Sequence, residues 1–250
     1  MKRLVFATII AAIVIALLGG CAAQGLKDGT YYAEDKEFDK NGWKSIVTVV
    51  VKDGKIANVF FDQVNKDGLL KNFQQDYAVR MKEKSGTTPL EATMKLEKSL
   101  LAKQKPEAVD AVSGATGTVE AFKKVVAEAL KGAPVAAKGG FKDGLYKAME
   151  EDFDSHGWKA MAAVVIKDGK IQRAFFDEIN KQDGHYKLSD AEYAKNMEAK
   201  SGTTPAKATE EAVKSLLAKQ DPKQVDAVSG ATGTIEKFKT LMTKALSFAK

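Results

Sequence analysis

The nine residues Asp-Ala-Val-Ser-Gly-Ala-Thr-Gly-Thr occur twice in the chain, at 110–118 and at 226–234. Each copy sets three alcohols around a glycine: Ser113, Thr116 and Thr118 around Gly114, and Ser229, Thr232 and Thr234 around Gly230. Apolar residues follow at helical spacing (Val119, Phe122, Val126, Ala129; Ile235, Phe238, Met242, Ala245), so each motif opens a helix. Backbone N–H groups at a helix start have no intrahelical partner and carry the positive end of the dipole, which attracts phosphate. Glycine lets a ligand approach the backbone, and Ala115 or Ala231 keeps the neighbouring wall small. The pattern predicts an anion site with an alcohol beside it. A helix cap in a tight turn would explain one glycine and one hydroxyl. It would not explain nine matching residues ahead of helices that have drifted to VEAFKKVVAEA and IEKFKTLMTKA.

The motif belongs to a longer repeat. KDGTYYAEDKEFDKNGWK (27–44) aligns with KDGLYKAMEEDFDSHGWK (142–159), VVVKDGKIANVFFDQVN (49–65) with VVIKDGKIQRAFFDEIN (164–180), and KSGTTP recurs at 84–89 and 200–205. The offset changes from 115 to 116 after Asn65 and Asn180, which places a one-residue insertion near Gln182. A period this long marks domains of about 110 residues, each large enough for a small core. The expected division is a leader at 1–20, a tether at 21–25, modules at 26–131 and 141–250, and a linker at 132–140. As a flexible coil that linker would span roughly 17 Å and join the modules closely but not rigidly.

Within a module, strands are expected at 29–38, 43–51 and 55–64, with Asp53-Gly54 and Asp168-Gly169 as type I′ hairpin turns. A helical stretch near 70–83 stops at Ser85-Gly86. Thr88, Pro89 and Glu91 then form a capping box for the next helix. The second copy has Lys207 in place of that glutamate, so its cap should be weaker. EAVDAV (107–112) reads as a short strand leading into the motif. Strands grouped ahead of helices predict an α+β fold: two tandem repeats of a small antiparallel sheet packed with helices.

The net charge is +6, falling to +4 without Lys2 and Arg3 of the leader, and nearly all the cations are lysine. Only Arg3, Arg80 and Arg173 carry the guanidinium fork that grips phosphates and guanine edges, and the lysines alternate with acids along helices. No nucleic-acid partner is expected. The single cysteine, Cys21, excludes disulfides, zinc–thiolate sites and iron–sulfur clusters, and the chain has no C-x-x-C-H motif for haem. It follows a basic start and an apolar run too short for a spanning helix, which needs about 20 residues. The sequence Leu-Gly-Gly-Cys at 18–21 resembles the lipobox of bacterial lipoproteins, which implies cleavage before Cys21 and lipidation of its sulfur.

The pattern D-x-x-S-G-A-T resembles the signal of the FMN-binding domain family, in which FMN is linked through its phosphate to a threonine hydroxyl. That family includes subunits of the sodium-pumping NADH:quinone reductase and two-domain flavin lipoproteins of extracellular electron transfer. The resemblance covers essentially all of 26–248. It implies two covalent FMN groups, on Thr116 and Thr232, with Asp110, Ser113, Gly114 and Ala115, and Asp226, Ser229, Gly230 and Ala231, completing the two signals. It further implies an FMN transferase that uses FAD and a divalent metal of its own. The function expected is an electron carrier, not an enzyme with its own substrate. Anchored on the outer face of the cytoplasmic membrane or in the cell envelope, it would relay electrons from a quinone-linked NADH dehydrogenase to extracellular or periplasmic acceptors. The rival is a lipoprotein that binds free flavin or another phosphate-bearing solute without a covalent bond, for uptake or sensing.

Other shared residues are less telling. Trp43 and Trp158 could stack on a flavin ring. The pairs Phe60-Phe61 and Phe175-Phe176 fit a core. Asn65 and Asn180 suit a ring edge or a turn equally, and Gly86 and Gly202 could bring backbone donors near a flavin. His156 and His185 are not shared between copies; both read as solvated, and no metal site is assigned.

Overall fold

The computed structural model describes residues 25–250; the leader at 1–20 and Cys21 lie outside the described residues. The first module opens with strands β1 (Gly29–Glu34), β2 (Lys44–Lys52) and β3 (Lys55–Val64), antiparallel in that order. Asp53 (φ 54°) and Gly54 (φ 70°) both lie in the left-handed region, as the I′ turn between β2 and β3 requires. Helices α1 (Gln75–Ser85), α2 (Pro89–Lys103) and α3 (Thr116–Lys131) follow. Helix α3 packs on β1 and β2, and α2 on β3. Phe122 meets Phe61 edge-on at 5.1 Å in the core between sheet and helices.

The second module repeats the plan with β6 (Gly144–Met149), β7 (Trp158–Lys167), β8 (Lys170–Asn180), α4 (Ala191–Ser201), α5 (Pro205–Lys219) and α6 (Thr232–Ser247). The capping box at Thr88 and Glu91 forms in full, whereas Thr204 accepts only from Lys207 N, with no reciprocal bond. Gly86 and Gly202 end α1 and α4 in the left-handed conformation.

Two expectations are corrected. Residues 107–112 form no strand: Pro106–Ala108 is a single 3-10 turn and an irregular segment runs into the motif, because proline lacks the N–H a ladder needs. The 132–140 segment is not a free coil either. Val135 N donates to Thr30 O at 2.6 Å, and strand β4 (Ala137–Lys138) pairs with β5 (Phe141–Lys142).

Nor do the modules keep separate cores. Along β2, Val47, Val49 and Val51 face their own helices, while Ile46, on the opposite face of the strand, joins the core of the second module with Phe60, Val64 and Leu70. That is why Ser45–Val49 is buried without alternation: a strand covered on both faces has no polar side. Polar bonds cross the seam as well. Thr48 Oγ1 accepts from Leu145 N at 2.8 Å, Tyr186 Oη donates to Asn72 O at 2.7 Å, and Arg173 donates to Gly68 O at 3.0 Å. Lys147 crosses to Glu97 at 2.6 Å.

Candidate functional site

The motif turns sit where the sequence places them, at the start of α3 and α6. The residues at the cap positions are Ala115 and Ala231, and neither helix start receives a side-chain cap. By contrast α2, with Thr88, is capped. The first-turn N–H groups of α3 and α6 therefore remain available to an external acceptor. Thr116 and Thr232 are the first helical residues, and both are exposed.

Gly114 has φ +75°, and a Cβ there would lie 2.2 Å from Ser85 O; Gly230 repeats this with φ +76° and Ser201 O at 2.3 Å. Glycine is thus required twice over, by the backbone angle and by the contact with the end of the preceding helix. The aspartates hold the turn from the other side. Asp110 Oδ2 accepts from Ser99 Oγ at 2.8 Å, Ser99 Oγ accepts from Asp110 N at 2.9 Å, and Lys103 pairs with the same carboxylate. Asp226 makes the same set with Ser215 and Lys219. These bonds hold both aspartyl carboxyls below their usual range, with the lysine bond the leading cause.

A cavity opens in front of each turn. The first, of about 370 Å3, is walled by Gly114–Thr118 and by Asp39, Gln63, Lys71, Tyr77, Arg80 and Lys84. The second, of about 660 Å3, is walled by Gly230–Thr234 and by Asp154, Glu178, Lys187, Tyr193, Lys200 and Lys237. In the first, Lys71 Nζ donates to the Gln63 amide oxygen at 2.8 Å, and burial brings its pKa down to about 8. In the second, Lys187 pairs with Glu178 at 2.7 Å, and Lys237 bonds both Glu178 and Asp154 at 2.7 Å. Burial also lowers the pKa of Lys187. For Lys237 burial works against the charge, but the bonds from Asp154 and Glu178 prevail and hold the ammonium above its ordinary range.

The structure gathers Gly114, Ala115 and Thr116, and Gly230, Ala231 and Thr232, on the cavity walls, while Ser113, Ser229, Asp110 and Asp226 are exposed and do not line the cavities. Trp43 and Trp158 are 9% and 5% exposed, and each has a lysine ammonium over its ring, Lys71 at 4.8 Å and Lys187 at 4.5 Å. Trp158 reaches the cavity wall and Trp43 does not. The half-buried rings on the walls are Tyr77 and Tyr193, each edge-on to its tryptophan.

Phe61 and Phe176 are core, and Asn65 and Asn180 bond within their turns. His156 is exposed at the second cavity. His185 stays partly exposed, and it also bridges Asp183 and Asp190 edge-on to Trp158. Lysines 71, 84, 187 and 200 and the two tyrosines were passed over in the sequence. Their signal was identity between repeats, in KNFQQDYAVRMKEKS against KLSDAEYAKNMEAKS, which reads first as helical surface.

The FMN-binding domain family matches residues 42–131 and again 157–247. A protein of Treponema pallidum (strain Nichols), described as a 15 kDa lipoprotein, is 38% identical over 109 residues, covering 44% of this chain and 77% of that protein. Among solved structures, a Clostridium perfringens protein known from a crystal structure is 36% identical, with a TM-score of 0.41, over 42% of this chain and 87% of its own. A Clostridium thermocellum protein solved by NMR is also 36% identical, with a TM-score of 0.30, over 42% and 90%. With both repeats matched from the middle strand through the last helix, the chain belongs to the FMN-binding domain family.

Proposed function

We propose that this protein is a lipid-anchored electron carrier bearing two FMN groups, one esterified through its phosphate to Thr116 and the other to Thr232. The observation that carries the reading is the exposure of both hydroxyls at uncapped helix starts, each opening on a cation-lined cavity. The residues fit the group. Free first-turn amides suit a phosphodiester, whose remaining negative charge the helix dipole would stabilise by about 0.3–1 kcal/mol. Both cavities fall within the roughly 300–1,000 Å3 that small-molecule sites occupy. Lys71 and Lys187 supply buried positive charge, and Tyr77 and Tyr193 offer a ring face or edge.

When bound, FMN accepts one or two electrons and so links a hydride or quinol donor to a one-electron acceptor; the protein positions and tunes the ring. Attachment would be the work of a separate transferase carrying a divalent metal. In that reaction the threonine hydroxyl would take the FMN phosphate from FAD, with AMP as the leaving group and the hydroxyl proton released to solvent. A covalent tether keeps the cofactor from diffusing away outside the cell. The lipobox at Cys21, and a relative described as a lipoprotein, support an anchored location on the outer face of the membrane or in the envelope. There a quinone-linked NADH dehydrogenase would be the electron donor.

Intact-mass measurement after co-expression with the transferase is the test. Two added flavin phosphoesters are expected, one lost in Thr116→Val and the other in Thr232→Val. Flavin that survives denaturation in both variants refutes the assignment. Colour released into the supernatant on acid precipitation identifies reversible capture instead.

A further inference from the structure

The two cavities are built on one plan but charged differently. The first carries Lys71, Arg80 and Lys84 against the single carboxylate of Asp39. The second carries Lys187, Lys200 and Lys237 against Asp154 and Glu178. The pivotal exchange is Gln63 for Glu178, equivalent positions near the strand ends, where Gln63 pairs with Ser45 of β2 and Glu178 with Ala160 of β7. In the first cavity the buried ammonium of Lys71 donates to a neutral amide and forms no salt bridge among the described residues; Asp39 and Asp62 act on it only from farther away. In the second, the equivalent Lys187 faces a carboxylate that is itself 2% exposed and also holds Lys237. Two further exchanges change the walls: Arg80 is replaced by Asn196, and Lys237, which has Ala121 as its counterpart, arrives already bonded to two acids. The cations of the second cavity are closed into a network, whereas those of the first are open.

Resting on the flavin reading above, we propose that the two sites are tuned apart. Gln63 leaves the first cavity the more electropositive and Glu178 lowers the positive charge of the second without cancelling it, so the site at Thr116 has the higher reduction potential and an electron shared between the modules comes to rest there. A flavin gains negative charge on reduction, and a charge fixed beside its ring shifts that equilibrium. At buried positions such a charge acts through a low effective dielectric and is weakly screened. The transfer is balanced within the molecule: the site at Thr232 is oxidised by one electron as the site at Thr116 is reduced by one.

Spectroelectrochemical titration of the flavinylated single-site variants tests the proposal. Thr232→Val retains only the first flavin and should have a higher midpoint than Thr116→Val, which retains only the second. Gln63→Glu added to Thr232→Val should lower the midpoint, and Glu178→Gln added to Thr116→Val should raise it, so that the two values converge. Equal midpoints in the parent variants, the reverse order, or no response to either exchange would overturn the inference while leaving the flavin assignment intact. Protein carrying no flavin at either threonine would overturn both together. Unfolding midpoints of the four variants, measured alongside, identify any shift that arises from disturbed packing instead of charge.

Discussion

The pair formed by Lys147 and Glu97 gives the seam between modules an energetic test. Its side chains are 15% and 17% exposed, their charged atoms are 2.6 Å apart, and both bond the backbone of Phe61, Lys147 to its carbonyl and Glu97 to its N–H. The equivalent positions in the other module are Tyr32 and Val213, so neither module needs the pair for its own fold. Burial pushes the Glu97 carboxyl above its ordinary pKa against the pull of Lys147, which means the ion pair only partly offsets desolvation. Lys147→Met would leave the carboxylate buried without its cation, a loss of about 3–5 kcal/mol. For a chain of this size that lowers the melting temperature by about 6–20 °C. Replacing both partners with the residues of the opposite module, Lys147→Tyr with Glu97→Val, should cost far less than the sum of the single changes. The cost of Lys147→Met should also shrink as pH falls from 8 to 5, because a protonated Glu97 no longer needs the cation. Urea unfolding followed by fluorescence suits the question, with one tryptophan per module, Trp43 and Trp158, kept singly in Trp→Phe backgrounds. The wild type should give coincident transitions and Lys147→Met separated ones. A loss below about 1 kcal/mol, or a double variant as unstable as the summed singles, would refute a seam held by this buried pair.

Burial raises the pKa of both Asp62 and Asp177 to about 7, and Asp62 Oδ2 has no hydrogen-bond partner. A raised folded pKa confers stability that is complete below the unfolded value near 3.8 and is lost as pH rises through about 7. Urea unfolding should therefore find the protein more stable at pH 5 than at pH 8, by at most about 3 kcal/mol per group, and Asp62→Asn should flatten the slope. Gly114→Ala drives a methyl group to 2.2 Å from Ser85 O at φ +75°; destabilisation of about 2 kcal/mol or more is expected, with flavinylation impaired at Thr116 but not at Thr232 when read by peptide mass mapping. Thr88→Ala should cost about 1–2 kcal/mol in chemical denaturation and Thr204→Ala less, because only the first cap has its reciprocal glutamate bond.

Most of the fold was legible because its signals are local. The I′ turns at Asp53 and Asp168, the cap at Thr88 and the helix stops at Gly86 and Gly202 depend on a few adjacent residues, and each forms as its chemistry dictates. The segment at 107–112 misled because alternating apolar residues suit a strand, while Pro106 and the anchoring of Asp110 to Ser99 hold the chain off any sheet edge. The seam was not legible, since Ile46, Thr48 and Phe60 are ordinary strand residues until a second sheet lies against them.

Comparing the two copies extends this reading to the site, because identity and divergence between them carry different physical information. The residues that shape the turn and line the cavity beside it are the same in both modules: Gly114 and Gly230 against a carbonyl, Thr116 and Thr232 at the helix start, Lys71 and Lys187 over a tryptophan. At the seam the modules differ, because the Glu97–Lys147 pair joins them once and its counterpart positions hold Val213 and Tyr32. Gln63 and Glu178 belong to neither class. They stand on cavity walls that should be alike and yet differ by a full buried charge, with Lys237 recruited to satisfy it. The exchange of Gln63 for Glu178 comes with Lys237, which bonds the added carboxylate alongside Lys187 and helps offset its burial. The asymmetry between the cavities therefore rests on a coupled pair of changes, which is the physical ground for treating the modules as two different sites and not as one site in duplicate.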